Sequence, residues 1–207
     1  MDFRRTFRSA AIAYAGLVAA LPPDRLDAPA LDGWTLRDLL GHTVSSALRQ
    51  VPEVLATHAP RVDVATPEGY FAYARSAPAD SVAAARAAAT DDARAAGKAL
   101  GEQPADQVST LIGRATEALS RAGDDDVVVT PVGGMRVRDW LPTRTFELVV
   151  HGLDASAASG LPYDLPVETV AEAVRLASRT ALAVGGGVPL LRALTGRAAL
   201  PPGFTIV

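Results

Sequence analysis

Apolar residues recur at helical spacing along most of the chain, which predicts a protein built mainly of α-helices. The first helix is expected over residues 2–21 and ends at the two prolines that follow. The second is expected over residues 35–58, and its opening Thr-Leu-Arg-Asp resembles a capping box. Pro52 interrupts this second helix, which predicts a kink or an earlier end near Gln50.

The rest of the chain continues this helical pattern, with one exception. Residues 127–137 are rich in Val and contain Gly133-Gly134, which predicts a short β-hairpin that turns at these glycines. Pro142 is tolerated only in the first turn of the following helix, so that helix is expected to start near Asp139 and to end before Gly160. The other predicted helices are residues 69–75, 80–100, 105–121, 166–184 and 189–194.

The helix expected over residues 139–159 carries a pair of polar residues beside its apolar stripe. Glu147 and His151 are four residues apart, so their side chains lie about 40° apart around the helix and can reach one point. A carboxylate and an imidazole at one point form half of a metal site. The same spacing is also common on solvated helix faces, and there it has no function.

His42, at the edge of the apolar face of the second helix, is the candidate third ligand. If the two helices pack side by side, His42, Glu147 and His151 converge as ligands do in metal-binding helix bundles. Two imidazoles and one carboxylate favour zinc and leave a fourth position for water or substrate, as in catalytic zinc sites. The alternative for His42 is an ordinary histidine, hydrogen-bonded on a helix surface or partly buried.

Composition narrows the possible functions. The net charge of −3 gives no basic surface for nucleic acid. The chain contains no Cys, so disulfides, thiolate ligands and a cysteine nucleophile are excluded, and any thiol chemistry needs a thiol from outside. Three arginines precede an apolar run over residues 10–21, as in a signal peptide, but its helical spacing favours a core helix. We expect a cytoplasmic protein without a membrane span.

Two motifs resemble the mycothiol-dependent maleylpyruvate isomerase family, within the DinB/YfiT-like group of metal-binding four-helix bundles. They are Trp-Thr-Leu-Arg-Asp-Leu-Leu-Gly-His at 34–42 and Arg-Thr-Phe-Glu-Leu-Val-Val-His-Gly-Leu-Asp at 144–154. The resemblance implies that His42, Glu147 and His151 hold a divalent metal, most simply zinc. It also implies a bundle over residues 1–160, with residues 161–207 as a C-terminal extension of helical and extended segments packed on it.

The resemblance further implies an enzyme that uses a thiol of the mycothiol type for S-transfer or isomerisation of a small electrophile. The isomerase has a further C-terminal α/β domain that contributes to its active site, and residues 161–207 are too few for one. Arg144 and Asp154, within the second motif, and Arg197 are candidate catalytic residues. Asp154 can orient His151 or form a plain salt bridge, and Arg197 can bind an anionic substrate or lie on the surface.

Two other functions use the same bundle. A metal-dependent hydrolase would use zinc-bound water with a separate general base, and the sequence shows no obvious base. A non-catalytic metal-binding or regulatory bundle would keep the fold without the chemistry.

Overall fold

The computed structural model describes residues 2–31 and 33–207, and this part of the chain is a mainly α-helical bundle with one β-hairpin, as predicted. Two antiparallel strands, β1 (Val127–Thr130) and β2 (Gly133–Arg136), form the hairpin. The helices are α1 (Phe3–Ala19), α2 (Leu36–Val44), α3 (Gln50–Leu55), α4 (Pro67–Ser76), α5 (Ala79–Ala99), α6 (Pro104–Arg121), α7 (Val137–Ser159), α8 (Val167–Ala183) and α9 (Gly187–Leu194).

The bundle is organised around α7, which packs against α1, α2, α4 and α8. Helix α6 closes the other side of the core, where it packs against α1 and α3. Large apolar side chains from three helices are completely buried at the centre, and each contributes roughly 1.5–3 kcal/mol through burial. They include Phe7, Tyr14, Leu40, Trp140 and Leu148.

Helices α2 and α3 form one continuous helical run that is interrupted by a π-helical turn (Ser45–Arg49). Thr35 caps the start of α2: its side chain accepts from the Asp38 N–H, and the Asp38 carboxylate accepts from the Thr35 N–H, as the capping-box pattern predicted. The expected irregularity before Pro52 is therefore present as a π turn, and the helix continues past it to Leu55.

The hairpin turns two residues earlier than predicted. Thr130 pairs with Gly133, so Pro131 and Val132 form the turn, and the prediction of a turn at Gly133-Gly134 is wrong. Both glycines belong to β2. A Cβ on Gly134 would lie 2.0 Å from the Arg61 carbonyl oxygen, so this glycine permits close approach of the preceding loop.

Helix α7 begins directly after β2, at Val137 rather than near Asp139 as predicted. The N–H groups of Val137 and Arg138 donate to loop carbonyls at Asp126 and Asp124, which fixes the first turn of the helix early. Pro142 therefore lies inside the helix, where it cannot donate to the carbonyl four residues before it.

The C-terminal residues pack on the bundle. Helix α8 lies against α1, α4 and α7, and α9 lies against α8. Gly185, with φ +80°, follows α8 in the left-handed conformation, as expected for a glycine that ends a helix. Within residues 2–31 and 33–207, the helices lack the combination of length and apolarity needed to cross a bilayer.

Helices α2 and α5 cross at very short distance because glycines line the contact. A Cβ on Gly41 would lie 2.1 Å from the Ala93 carbonyl oxygen and 2.3 Å from the Gly97 amide nitrogen. A Cβ on Gly97 would lie 2.5 Å from the Arg37 carbonyl oxygen. Both helices meet backbone to backbone at this point, one residue before His42.

Gly41→Ala therefore separates α2 from α5, since only backbone atoms surround the added methyl group. We expect the free energy of unfolding to fall by about 1–3 kcal/mol or more, measured by urea denaturation. Gly113→Ala is the control, because Gly113 lies within α6 with no atom near its Cβ position. That variant should be as stable as the parent or up to about 1 kcal/mol more stable. Equal stability of Gly41→Ala and the parent would contradict the crossing described.

Candidate metal centre

Three side chains from two helices meet at one point between α2 and α7. Glu147 and His151 lie one turn apart on α7, and the distance from His151 Nε2 to Glu147 Oε2 is 3.3 Å. His42 projects from α2, with Nε2 at 4.0 Å from the same carboxylate oxygen. One ligand atom from each residue lies within 4.8 Å of the other two. The structure thus brings together the three residues that the sequence pattern selected.

This donor set fits a divalent metal. Ligands that bind zinc at about 2.0–2.1 Å in tetrahedral geometry lie roughly 3.3 Å apart. The spacing of the His151 and Glu147 atoms equals that value, whereas the His42 nitrogen, at 4.0 Å from the Glu147 oxygen, has to move inward for all three atoms to bind one ion. The three side chains are 21%, 15% and 17% exposed for His42, Glu147 and His151, so the cluster is largely buried but keeps some contact with solvent.

Asp154 contacts the imidazole of His151. Its carboxylate lies 3.1 Å from His151 Nδ1, one helical turn further along α7. A proton on Nδ1 can be donated to Asp154, and once Nε2 has lost its own proton this is the tautomer that a metal ligand needs.

The electrostatics of the cluster keep Glu147 ionised. Burial raises the pKa of Glu147, but the hydrogen bond with His151 and the positive charge of Arg144 outweigh it and bring the pKa below its usual range. Burial lowers the pKa of His151, but the hydrogen bonds to Asp154 and Glu147 raise it by more, so the net shift of the pKa is upward. The same contacts that keep Glu147 ionised thus hold a proton on His151, and a metal at this point has to displace that proton.

His42 is held as a neutral imidazole by its surroundings. Burial, and next the positive charge of His151, lower the pKa of His42. Its ring packs against Trp34 and edge-on against His151, with ring centroids 5.0 Å and 4.8 Å away. Trp34 thus packs partly buried against the core and is also a neighbour of a candidate ligand.

Asp92 is a neighbour of the cluster that the sequence did not indicate. Its carboxylate accepts from Ser45, at the start of the π turn, and from Arg49 at 2.6 Å, and its charge raises the pKa of His42. Asp92 lies in the Ala-rich helix α5, where no motif marks it. Its proximity arises only from the close α2–α5 crossing.

The two candidate arginines lie in different environments. Arg144 is 2% exposed, within α7, and donates from Nη1 to the Ser46 carbonyl oxygen at 2.8 Å and to Gln50 Oε1 at 2.9 Å. Arg197 follows α9 on the exposed surface, where its guanidinium donates to the Thr195 carbonyl. Helix α9 packs against α8, and among the described residues no hydrogen bond or ion pair joins Arg197 to the cluster.

A groove of about 280 Å³ lies beside Asp154. Small and apolar side chains line the rest of it: Ala30, Leu31, Ala157 and Ala158. Asp154 is thus the link between this groove and His151, since the three clustered side chains are not part of its lining.

Comparison with known proteins identifies one family. The family model of the mycothiol maleylpyruvate isomerase N-terminal domain matches residues 7–156, which include the three clustered side chains together with Arg144 and Asp154. Arg197 lies outside the matched residues. No curated protein and no solved structure matches the chain.

The histidines allow a matched test of the metal centre. We expect protein purified from zinc-supplemented medium to hold about one zinc per chain by elemental analysis, because three ligands converge at one point. His42→Ala and His151→Ala should lose stoichiometric zinc. His58→Ala should keep it, because His58 is exposed after α3 and outside the cluster. Equal zinc content in all three variants would contradict the assignment.

Proposed function

This chain belongs to the mycothiol maleylpyruvate isomerase N-terminal domain family, and we propose that it is a metal-dependent enzyme that uses a low-molecular-weight thiol. The thiol is of the mycothiol type, and the reaction is S-transfer to, or isomerisation of, a small electrophile. We propose the cytoplasm as its location, since small thiols are kept reduced there.

The observation that carries this proposal is the convergence of His42, Glu147 and His151 at a point that is mostly buried but partly exposed to solvent. Three protein ligands leave one coordination position for an external molecule. The chain has no Cys, so the nucleophilic sulfur is supplied by the cosubstrate. Both facts agree with the thiol named in the description of the family.

Each residue near the cluster has a role in binding or orientation. Zinc at this site would bind the thiol sulfur and lower its pKa, so that thiolate is present at neutral pH. Asp154 holds the His151 ring in the ligating tautomer, and Glu147 supplies the negative charge that retains the cation. The groove beside Asp154 gives room for the electrophile.

The proposed reaction between the thiol and the electrophile needs no further co-reactant. The thiolate adds to the β-carbon of a conjugated carbonyl compound, a C–S bond forms, and the displaced electron pair moves to the carbonyl oxygen. Protonation then gives the S-conjugate. Alternatively, rotation about the former double bond and expulsion of the thiolate return the trans isomer and the free thiol.

Purified zinc-loaded protein should accelerate conjugation of mycothiol with a model electrophile such as a maleate ester. The rate is measured as the disappearance of free thiol. His42→Ala should abolish the acceleration, because it removes a metal ligand, whereas His58→Ala should leave it unchanged. Turnover of ester or amide substrates without any thiol would instead support a hydrolase. Zinc-loaded protein that is inactive with every thiol and electrophile pair tested would contradict the proposed function.

A further inference from the structure

Arg144 is a buried cation that donates to no carboxylate among the described residues. Its Nε donates to Thr143 Oγ1 at 3.0 Å, and the guanidinium carbon lies 5.0 Å and 5.6 Å from the ring centroids of Tyr70 and Trp140. Its Nη2 has no hydrogen-bond partner within residues 2–31 and 33–207. Burying a charge in this way is costly, so the contacts that it does make call for a functional explanation.

The main contacts of Arg144 are on the π turn. Nη1 bridges the Ser46 carbonyl oxygen, within the turn, and the side chain of Gln50, immediately after it. Because π turns depart from the regular i→i−4 bonding of a helix, a carbonyl there is available to an outside donor. Arg144 therefore attaches the π turn to α7.

The π turn is directly connected to His42. The N–H of Ser45, its first residue, donates to the carbonyl oxygens of Gly41 and His42. On the opposite side, Ser45 and Arg49 bind Asp92 of α5. Any rotation or shift of the turn relative to α7 would consequently displace the His42 side chain.

Arg144 lies on the same face of α7 as the candidate ligands Glu147 and His151, since they follow it by three and seven residues. One face of α7 thus carries two of the candidate ligands and also Arg144, which binds the π turn that follows the third ligand, His42. We propose that Arg144 is a positioning residue that sets the register of α2 against α7 and thereby places His42 opposite Glu147 and His151. This inference rests on the metal centre proposed above.

The shape of the guanidinium group suits this role. Its planar fork holds two acceptors at fixed geometry while its faces lie against aromatic rings, and a lysine ammonium can do neither. Direct contact with substrate is a poorer explanation, because only 2% of Arg144 is exposed. The residue acts through His42 and has no surface for the reacting atoms.

The test measures zinc affinity by competition with a chromophoric chelator, and ring–ring NOEs between His42 and His151 in metal-free protein. The two ring centroids lie 4.8 Å apart, close enough for an NOE. Arg144→Met should weaken zinc binding by at least about tenfold and reduce the NOE, and Arg144→Lys should fall between it and the parent. Leu119→Ala is the control for lost stability and should keep both signals, because Leu119 is buried at the end of α6 where its carbonyl oxygen accepts from Arg4 of α1.

Parent-like affinity and NOE intensity in Arg144→Met would overturn the inference. If Arg144→Met does not fold, Gln50→Leu takes its place, since it removes one of the two Nη1 acceptors: a reduced NOE supports the inference and an unchanged NOE overturns it. If the parent binds no zinc, the metal centre fails, and the NOE comparison alone decides the role of Arg144. If Arg144→Met loses zinc affinity but the parent shows no thiol conjugation, the result counts against the proposed chemistry and leaves the role of Arg144 supported.

Discussion

The position of α2 relative to α7 is the constraint on which the candidate site depends, because one ligand comes from α2 and two come from α7. Two kinds of contact fix that position. At the crossing with α5, Gly41 and Gly97 let the backbones touch, so α2 cannot move outward without losing the contact. One turn later, Arg144 and Asp92 hold the π turn from opposite sides. The bulk of the hydrophobic core packs around this arrangement.

The charges of the cluster are stabilised by one another. Burial of the Glu147 carboxylate costs desolvation energy, and the hydrogen bond with His151 and the positive charge of Arg144 outweigh that cost, since the pKa of Glu147 lies below its usual range. A metal that binds only the folded chain stabilises it further. At a free metal concentration 100 times Kd, the free energy of unfolding rises by about 2.7 kcal/mol. The charges Arg144, Glu147, His151 and Asp154 alternate in sign along one face of α7, so the metal-free cluster is also internally neutralised.

Features set by local spacing were predictable from the sequence, and features set by tertiary contacts were not. The helices follow from apolar periodicity, and the Glu147–His151 pair follows from its four-residue spacing. Pro52 indicated an irregularity but not a π turn, since the turn depends on partners at positions 92 and 144. Gly133-Gly134 was read as a turn, whereas the structure uses Gly134 for close approach to the Arg61 carbonyl oxygen. Asp92 carried no signal at all, because only the helix crossing places it near His42.

Anomalous diffraction at the zinc absorption edge, from crystals of the zinc-loaded protein, tests the metal centre most directly. The account predicts one strong anomalous peak between α2 and α7, at about 2.0–2.1 Å from His42 Nε2, His151 Nε2 and a Glu147 carboxylate oxygen. A peak elsewhere, or a His42–Glu147–His151 cluster without anomalous density in crystals that contain zinc, would contradict it.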